Sequence, residues 1–265
     1  MVELIFLGTG TSHGIPVIGC SCRVCRSSDP RNRRTRPSIA LCTPQGTLVV
    51  DTTPELRIQL LRENIQRVHA VLFTHAHADH IYGFDDVRIF PHYTGQPVPV
   101  YCDDRVASRL RQVFPYAFDD RVRELPDGAI PKVHLVRIVP GEWFEVLGLR
   151  VLPIRLKHGS WDIVGYRFGR VAYCTDVSAV PPDAMQQLRG LEWLILDALR
   201  YRPHPTHLSI EQALALIRQL QPRRALLTHF CHEVDHAELE RALPEGVAPA
   251  YDGLRLDVTT AVAAL

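Results

Sequence analysis

The chain carries almost no net charge: 30 Lys and Arg face 29 Asp and Glu, leaving a formal +1 over 265 residues. Such balance argues against a dedicated nucleic-acid-binding protein and against a membrane-surface protein. No apolar run approaches the roughly 18–20 residues of a membrane-spanning helix. The opening stretch, Met1-Val2-Glu3-Leu4-Ile5-Phe6-Leu7-Gly8, has no basic segment before its apolar run and breaks at a glycine. It therefore reads as a first strand and not as a secretory signal. Internal repeats, low-complexity tracts and Ser/Gly-rich linkers are also missing. A disulfide framework is not indicated: seven cysteines is an odd number, and three of them crowd into one loop. That usage suits a reducing cytoplasm and metal binding. The residues that remain, 46% of them hydrophobic, suffice for a large core, and one domain over residues 1–265 is the simplest division.

What the chain does have is the stretch Phe73-Thr74-His75-Ala76-His77-Ala78-Asp79-His80. It follows the apolar run Ala70-Val71-Leu72-Phe73, which reads as a buried strand, so the motif falls on a loop entering a helix. Imidazole nitrogens and carboxylate oxygens are the usual ligands of zinc and similar ions. On an extended loop His75 and His77 point the same way, because side chains alternate with period two. Asp79 and His80 then turn aside, where they would serve a second metal about 3.5–4 Å from the first.

This H-x-H-x-D-H pattern resembles the metallo-β-lactamase superfamily of binuclear metallohydrolases. The resemblance implies an α/β fold, a four-layer αββα sandwich with two metals at one edge between the sheets. It also implies a third histidine for the first metal, an aspartate bridging both, and a last histidine for the second. His158, just past the run Leu149–Leu156 and before Gly159, suits the first of these. Asp176, at the end of the hairpin Gly165–Asp176, matches the bridging position. His229 ends the run Arg224–Thr228 and matches the last ligand. Asp51 ends another strand and reads either as a residue orienting a ligand histidine or as a helix cap before Pro54. Cys174 reads as buried in its strand, and His134 as a satisfied structural histidine within a strand.

Gly19-Cys20-Ser21-Cys22-Arg23-Val24-Cys25 is a C-x-C-x-x-C cluster. Three close thiolates favour a soft metal, and structural zinc needs a fourth ligand. His232 is the expected partner and Cys231 the competitor. Here the likeness narrows to the cyclic-phosphate phosphodiesterases of bacterial phosphonate breakdown. Their resembling loop, with a histidine three residues past the last active-site histidine, implies one structural zinc on Cys20, Cys22, Cys25 and His232. The zinc loop would span about 9–37, and losing its metal would leave a long polar segment with little to hold it. Within that loop Arg31, Arg33, Arg34 and Arg36 read mainly as a solvated run, or else as a phosphate-attracting rim.

His207 precedes a helix that Ser209 and Gln212 are placed to cap. In the resembling phosphodiesterases, and in the tRNA 3′-processing endonucleases, a histidine in this loop acts near the scissile phosphate without being a primary ligand. The resemblance thus implies His207 and Asp176 as catalytic residues. The two active-site metals would be divalent, zinc or manganese, and would lower the pKa of water from about 15.7 toward 7 for attack on phosphorus. The expected substrate is a small, cyclic phosphodiester; no stable nucleic acid and no membrane are expected as partners. Residues 115–131, rich in Pro and Asp, read as a flap or a dimer contact, and a homodimer stays open. Two alternatives stand beside this reading: thioester or lactam-type amide hydrolysis, and a non-catalytic biosynthetic accessory role.

Overall fold

A computed structural model describes residues 1–122 and 124–263. Leu4 and Phe6 bury one face of the first strand, while Ile5 and Leu7 bury the other. A strand apolar on both faces belongs in a sheet covered on both sides. The first sheet contains β1 (Glu3–Gly8), β2 (Ser38–Thr43), β3 (Gly46–Val50), β4 (Ala70–Leu72), β5 (Val98–Cys102) and β6 (Val133–Arg137). The second holds β7 (Phe144–Val146), β8 (Leu149–His158), β9 (Trp161–Phe168), β10 (Val171–Cys174), β11 (Trp193–Asp197), β12 (Arg224–Thr228) and β13 (Val247–Pro249). The last strand, β14 (Arg255–Asp257), returns to pair with β1, which makes two sheets of seven strands.

Each sheet is half antiparallel and half parallel. β14 to β3 alternate in direction and β3 to β6 run parallel. In the second sheet β7 to β10 alternate and β10 to β13 run parallel. The inner faces meet in one core, in which Phe6, Leu41, Val50 and Leu72 pack with Val164, Tyr166, Tyr173 and Ile195. The outer face of the first sheet is covered by α1 (Leu56–Arg62), α2 (Ala78–Ile81), α3 (Phe90–Thr94) and α4 (Asp104–Val113), through Leu56, Ile81, Phe90 and Leu110. The second is covered by α5 (Pro182–Gln187), α6 (Ile210–Leu220) and α7 (His236–Ala242), through Ala184, Ile217 and Leu239. The short α8 (Thr259–Val262) adds Ala261 to the inner core. The αββα sandwich expected from the motif is the observed architecture. Among the described residues no helix is long and apolar enough to cross a membrane.

The helix cap expected from Ser209 and Gln212 is met, and a second cap stands at α4. Ser209 and Gln212 form a full capping box at α6, and the Asp103 side chain accepts from Val106 N at 2.8 Å to cap α4. Other expectations are corrected. His134 is exposed on β6, which among the described residues is the edge strand of its sheet. The segment 115–131 is anchored near its two ends, where Phe118 stacks on Phe84 with centroids 6.2 Å apart and Arg88 donates to Ala129 O at 3.1 Å, while Asp120, Arg121 and residues 124–127 between them are exposed. Arg123 lies outside the described residues. The basic run is only partly a solvated series: Arg33 is exposed, but the other three arginines are engaged by the protein. Arg34 is buried, Arg31 pairs with Asp29 and Glu240, and Arg36 pairs with Glu55 and Ser12 O.

Candidate metal centre

Parallel strands all end on the same side of a sheet, and ligand sites gather at those carboxyl ends. Here Asp51 follows β3, His75 follows β4, His158 ends β8, Asp176 follows β10, Asp197 ends β11 and His229 follows β12. Two bonds fix the spacing between the sheets at this edge: Val164 N donates to Thr74 O at 2.9 Å, and the Tyr166 hydroxyl donates to Phe73 O at 2.6 Å. Asp51, Asp176 and His229 all take left-handed backbone, with φ of 66°, 59° and 67°. Non-glycine residues adopt that conformation at a cost of order 1–3 kcal/mol each, and such strain concentrates at functional sites.

Four of the imidazoles, those of His75, His80, His158 and His207, are held through Nδ1, which leaves Nε2 free of that contact. His75 Nδ1 lies 3.0 Å from the Thr74 hydroxyl, which donates to Asp51 Oδ2 at 2.7 Å. His80 Nδ1 is 2.8 Å from Asp51 Oδ2, so Asp51 orients a histidine, while α1 begins at Leu56 without using it as a cap. His158 Nδ1 is 2.7 Å from Thr206 O, and His207 Nδ1 is 2.8 Å from Asp197 Oδ2. The free nitrogens and carboxylates converge. His75, His77 and His158 offer donor atoms all within 4.8 Å of one another, as do His75, His80 and Asp176. Asp176 Oδ1 stands 3.2 Å from His229 Nδ1 and 3.4 Å from His80 Nε2, which is also 3.4 Å from Asp79 Oδ2. His207 joins His158 and Asp176 in a third such group.

The electrostatics call for positive charge. Burial would lower His80, yet Asp176, Asp79 and Asp51 around it raise it well above the ordinary histidine value. Burial would raise Asp176, but the surrounding His229 and His80 hold it well below the carboxylate range. Farther out, burial pushes Asp197 up to about 7. Burial opposes protonation of His207 as well, but the Asp197 carboxylate and its hydrogen bond raise it. Divalent cations fit this donor set, since His80 Nε2 is buried, faces two carboxylates and has no hydrogen-bond partner.

The cysteine loop makes a second cluster. His232 Nδ1 lies 3.2, 3.5 and 3.7 Å from the sulfurs of Cys20, Cys22 and Cys25. Cys231 is not part of it; its sulfur accepts from Glu233 N instead. Backbone N–H groups of Val17 and Cys25 donate to Cys25 and Cys22 sulfur, and the second of these is the main cause that pulls the Cys22 thiol down to about 6. All seven cysteines are free thiols. Three thiols and an imidazole this close are compatible with a structural zinc. The loop also has tethers that sequence patterns do not reveal: Asn32 donates to Asp235 at 2.9 Å and accepts from His236 N at 2.8 Å, and buried Arg34 meets His236. Also unforeseen is Trp161, whose ring packs 5.0 Å from that of His77; its place in a β-hairpin carries no pattern that would mark it.

The sequence model of the beta-lactamase superfamily domain matches residues 47–230. A Porphyromonas gingivalis protein named octanoyltransferase is 37% identical over 256 residues, covering 96% of this chain but 51% of that relative, so the chain spans about half its length. A coenzyme PQQ synthesis protein B from Methylorubrum populi is 26% identical over 231 residues, 74% of this chain and 72% of the relative. A crystal structure described as a new diphosphatase from the PhnP family is 42% identical, superposes with a TM-score of 0.89 and covers 96% of both chains.

Proposed function

The chain belongs to the beta-lactamase superfamily and carries its hydrolase fold, and from that premise we propose that it hydrolyses a small phosphoric diester or diphosphate. The observation that carries the reading is His207. Its imidazole lies among the donor groups, with ring centroids 4.7 Å from His158 and 4.8 Å from His229, and is steered by Asp197. The 42% identity to a protein described as a diphosphatase supports the same class. Both sheets contribute to this one site, which supports reading the chain as one hydrolase domain.

His75, His77 and His158 would hold one divalent cation, zinc or manganese, and Asp79, His80 and His229 the other, with Asp176 shared. Lewis acidity is what such cations supply when bound: acidified water and neutralised phosphoryl oxygens. Asp51 keeps the His80 Nδ1 proton and so presents Nε2 as a lone-pair donor. Asp197 holds His207 by Nδ1, which leaves Nε2 to carry a proton toward the phosphoryl group or the leaving oxygen. The His207 loop is pinned from both sides, Leu208 N donating to Val177 O at 2.7 Å and Leu199 N to Leu208 O at 2.9 Å. A pinned donor needs little reorganisation when charge develops. Cys20, Cys22, Cys25 and His232 would hold a structural zinc away from this chemistry.

A second reading, hydrolysis of an acyl thioester or amide, is favoured by the 37% identity to the octanoyltransferase. Because the chain spans about half of that relative, the name does not say which half moves the acyl group. The decisive assay compares bis-p-nitrophenyl phosphate and a dinucleoside diphosphate with an acyl thioester and a β-lactam. The phosphate esters should be the ones hydrolysed, and His207→Ala should keep its metals while turnover falls about 10²–10⁴-fold. Full turnover by that variant on an ester with a poor leaving group would sink the role given to His207.

A further inference from the structure

Beside the metal centre the surface opens into a groove of about 960 Å³, lined among others by His77, Tyr82, Arg105, Ser108, Arg109 and Trp161. Its floor is continuous with the candidate centre, because Trp161 packs directly on the His77 ring. Two large aromatic side chains are left half in water there: Trp161 is 51% exposed and Tyr82 50%. Large aromatics usually bury their faces, so exposed rings in this lining offer a surface for a flat apolar ring.

The lining is also cationic in a way that costs the protein. Arg105 and Arg109 are exposed on α4 and stand four residues apart, where like charges on a helix repel. Arg105 also falls in the first turn, where the helix dipole disfavours positive charge. Neither arginine makes an ion pair among the described residues. Of the nearby carboxylates, Asp104 in the lining is engaged by Arg137 at 2.9 Å, and Asp162, which also feels the charge of Arg105, is paired with Lys157 at 2.6 Å. The groove therefore presents two exposed guanidinium groups with no ion-pair partner among the described residues, which are suited to a phosphate, in the same lining as two exposed aromatic rings.

We propose that this groove is a nucleotide subsite: Arg105 and Arg109 grip a second phosphate of the substrate while its base lies against Trp161. The inference rests on the phosphoesterase reading above and names its substrate as a diphosphate ester with a nucleotidyl leaving half. One water is consumed. Its oxygen bonds to the phosphorus at the metal centre, and the bond from that phosphorus to the bridging oxygen breaks. The bridging oxygen leaves on the phosphate held by the two arginines, and the two protons of the water are shared between the two monoester products.

The test has a binding arm and a turnover arm. In the metal-loaded protein with excess inorganic phosphate, ADP should quench tryptophan fluorescence saturably. The quench should be absent in Trp161→Leu, and Arg105→Gln/Arg109→Gln should weaken ADP binding at least about tenfold. In turnover, the same double variant should lower the ratio of kcat/KM for a dinucleoside diphosphate to that for bis-p-nitrophenyl phosphate by a similar factor, mainly through KM. Glutamine is a good helix former and both positions are exposed, so the variants should fold; if the double variant does not, each single variant carries the test. ADP binding equally tight in the arginine variants, or no quench in the wild type, overturns the subsite. Failure of the wild type to hydrolyse any phosphate ester would instead overturn the proposed reaction and leave the binding arm to decide the subsite.

Discussion

Acid should weaken this protein through one buried histidine far from the candidate metal centre. His236 is fully buried, and its Nδ1 lies 3.0 Å from Arg34 Nη2. A guanidinium has only donors, so this nitrogen must accept and the ring must be neutral. Arg34 is itself buried with no carboxylate in ion-pair contact among the described residues, donating to the Thr9 hydroxyl at 2.7 Å and to Ala250 O at 2.6 Å. Protonating His236 would place two cations side by side in the interior. Burial is the largest cause that brings its pKa from 6.5 to about 4, followed by the charge of Arg34. The folded pKa is depressed, so the unfolded chain takes up the proton first as pH falls. The neutral ring's contribution is complete above about pH 6.5 and is lost as pH drops toward about 4. Between about pH 7.5 and 5 that loss amounts to roughly 2 kcal/mol. His236→Asn keeps an acceptor oxygen for Arg34 but cannot titrate. Urea unfolding of the metal-loaded proteins at both pH values should show the wild type losing about 2 kcal/mol more than the variant. Parallel losses in the two proteins would refute this account of His236.

Two further outcomes concern the metal sites. Asp51→Asn removes the charge behind His80 while keeping an acceptor for Nδ1, so active-site metal affinity should fall about 10–100-fold in a chelator competition; unchanged affinity would show that Asp51 only shapes the loop. Cys22→Ser should lose close to one zinc per chain by elemental analysis and melt at a lower temperature, with the two active-site metals retained, whereas unchanged zinc content would remove the cysteine cluster from the metal sites.

The residues brought together at the centre were mostly legible because they share a local signature. His158, Asp176 and His229 each stand at or just past the end of an apolar strand and His75 three residues beyond one, but it is the resemblance carried by the H-x-H-x-D-H motif that says which such strand ends matter. Asp51 shows the same signature, but only the structure separates its two readings, because the outcome depends on His80, 29 residues away. Arg34 was not legible for a similar reason. In sequence it is one of several neighbouring arginines. What buries it is Thr9, Ala250 and His236 at separations of 25, 216 and 202 residues, and no local pattern encodes such a meeting. His134 failed in the opposite direction: its strand was legible, but its exposure depends on β6 lying at the edge of the sheet.

The same distinction explains how the site is organised. The first sheet supplies Asp51, His75, His77, Asp79 and His80, and the second supplies His158, Asp176, Asp197, His207 and His229. Neither sheet brings a complete donor set, so the spacing between the sheets sets the ligand geometry. That spacing rests on the shared core and on two bonds that cross it, from Val164 N and from the Tyr166 hydroxyl to the backbone around Phe73 and Thr74. Tyr166 is fully buried, so its bond forms where no water competes. The acceptors are the carbonyls of the two residues preceding His75, which makes the register of the metal motif a property of the inter-sheet packing. Motif residues therefore identify themselves along the chain, while the distances between them are a property of the sandwich as a whole.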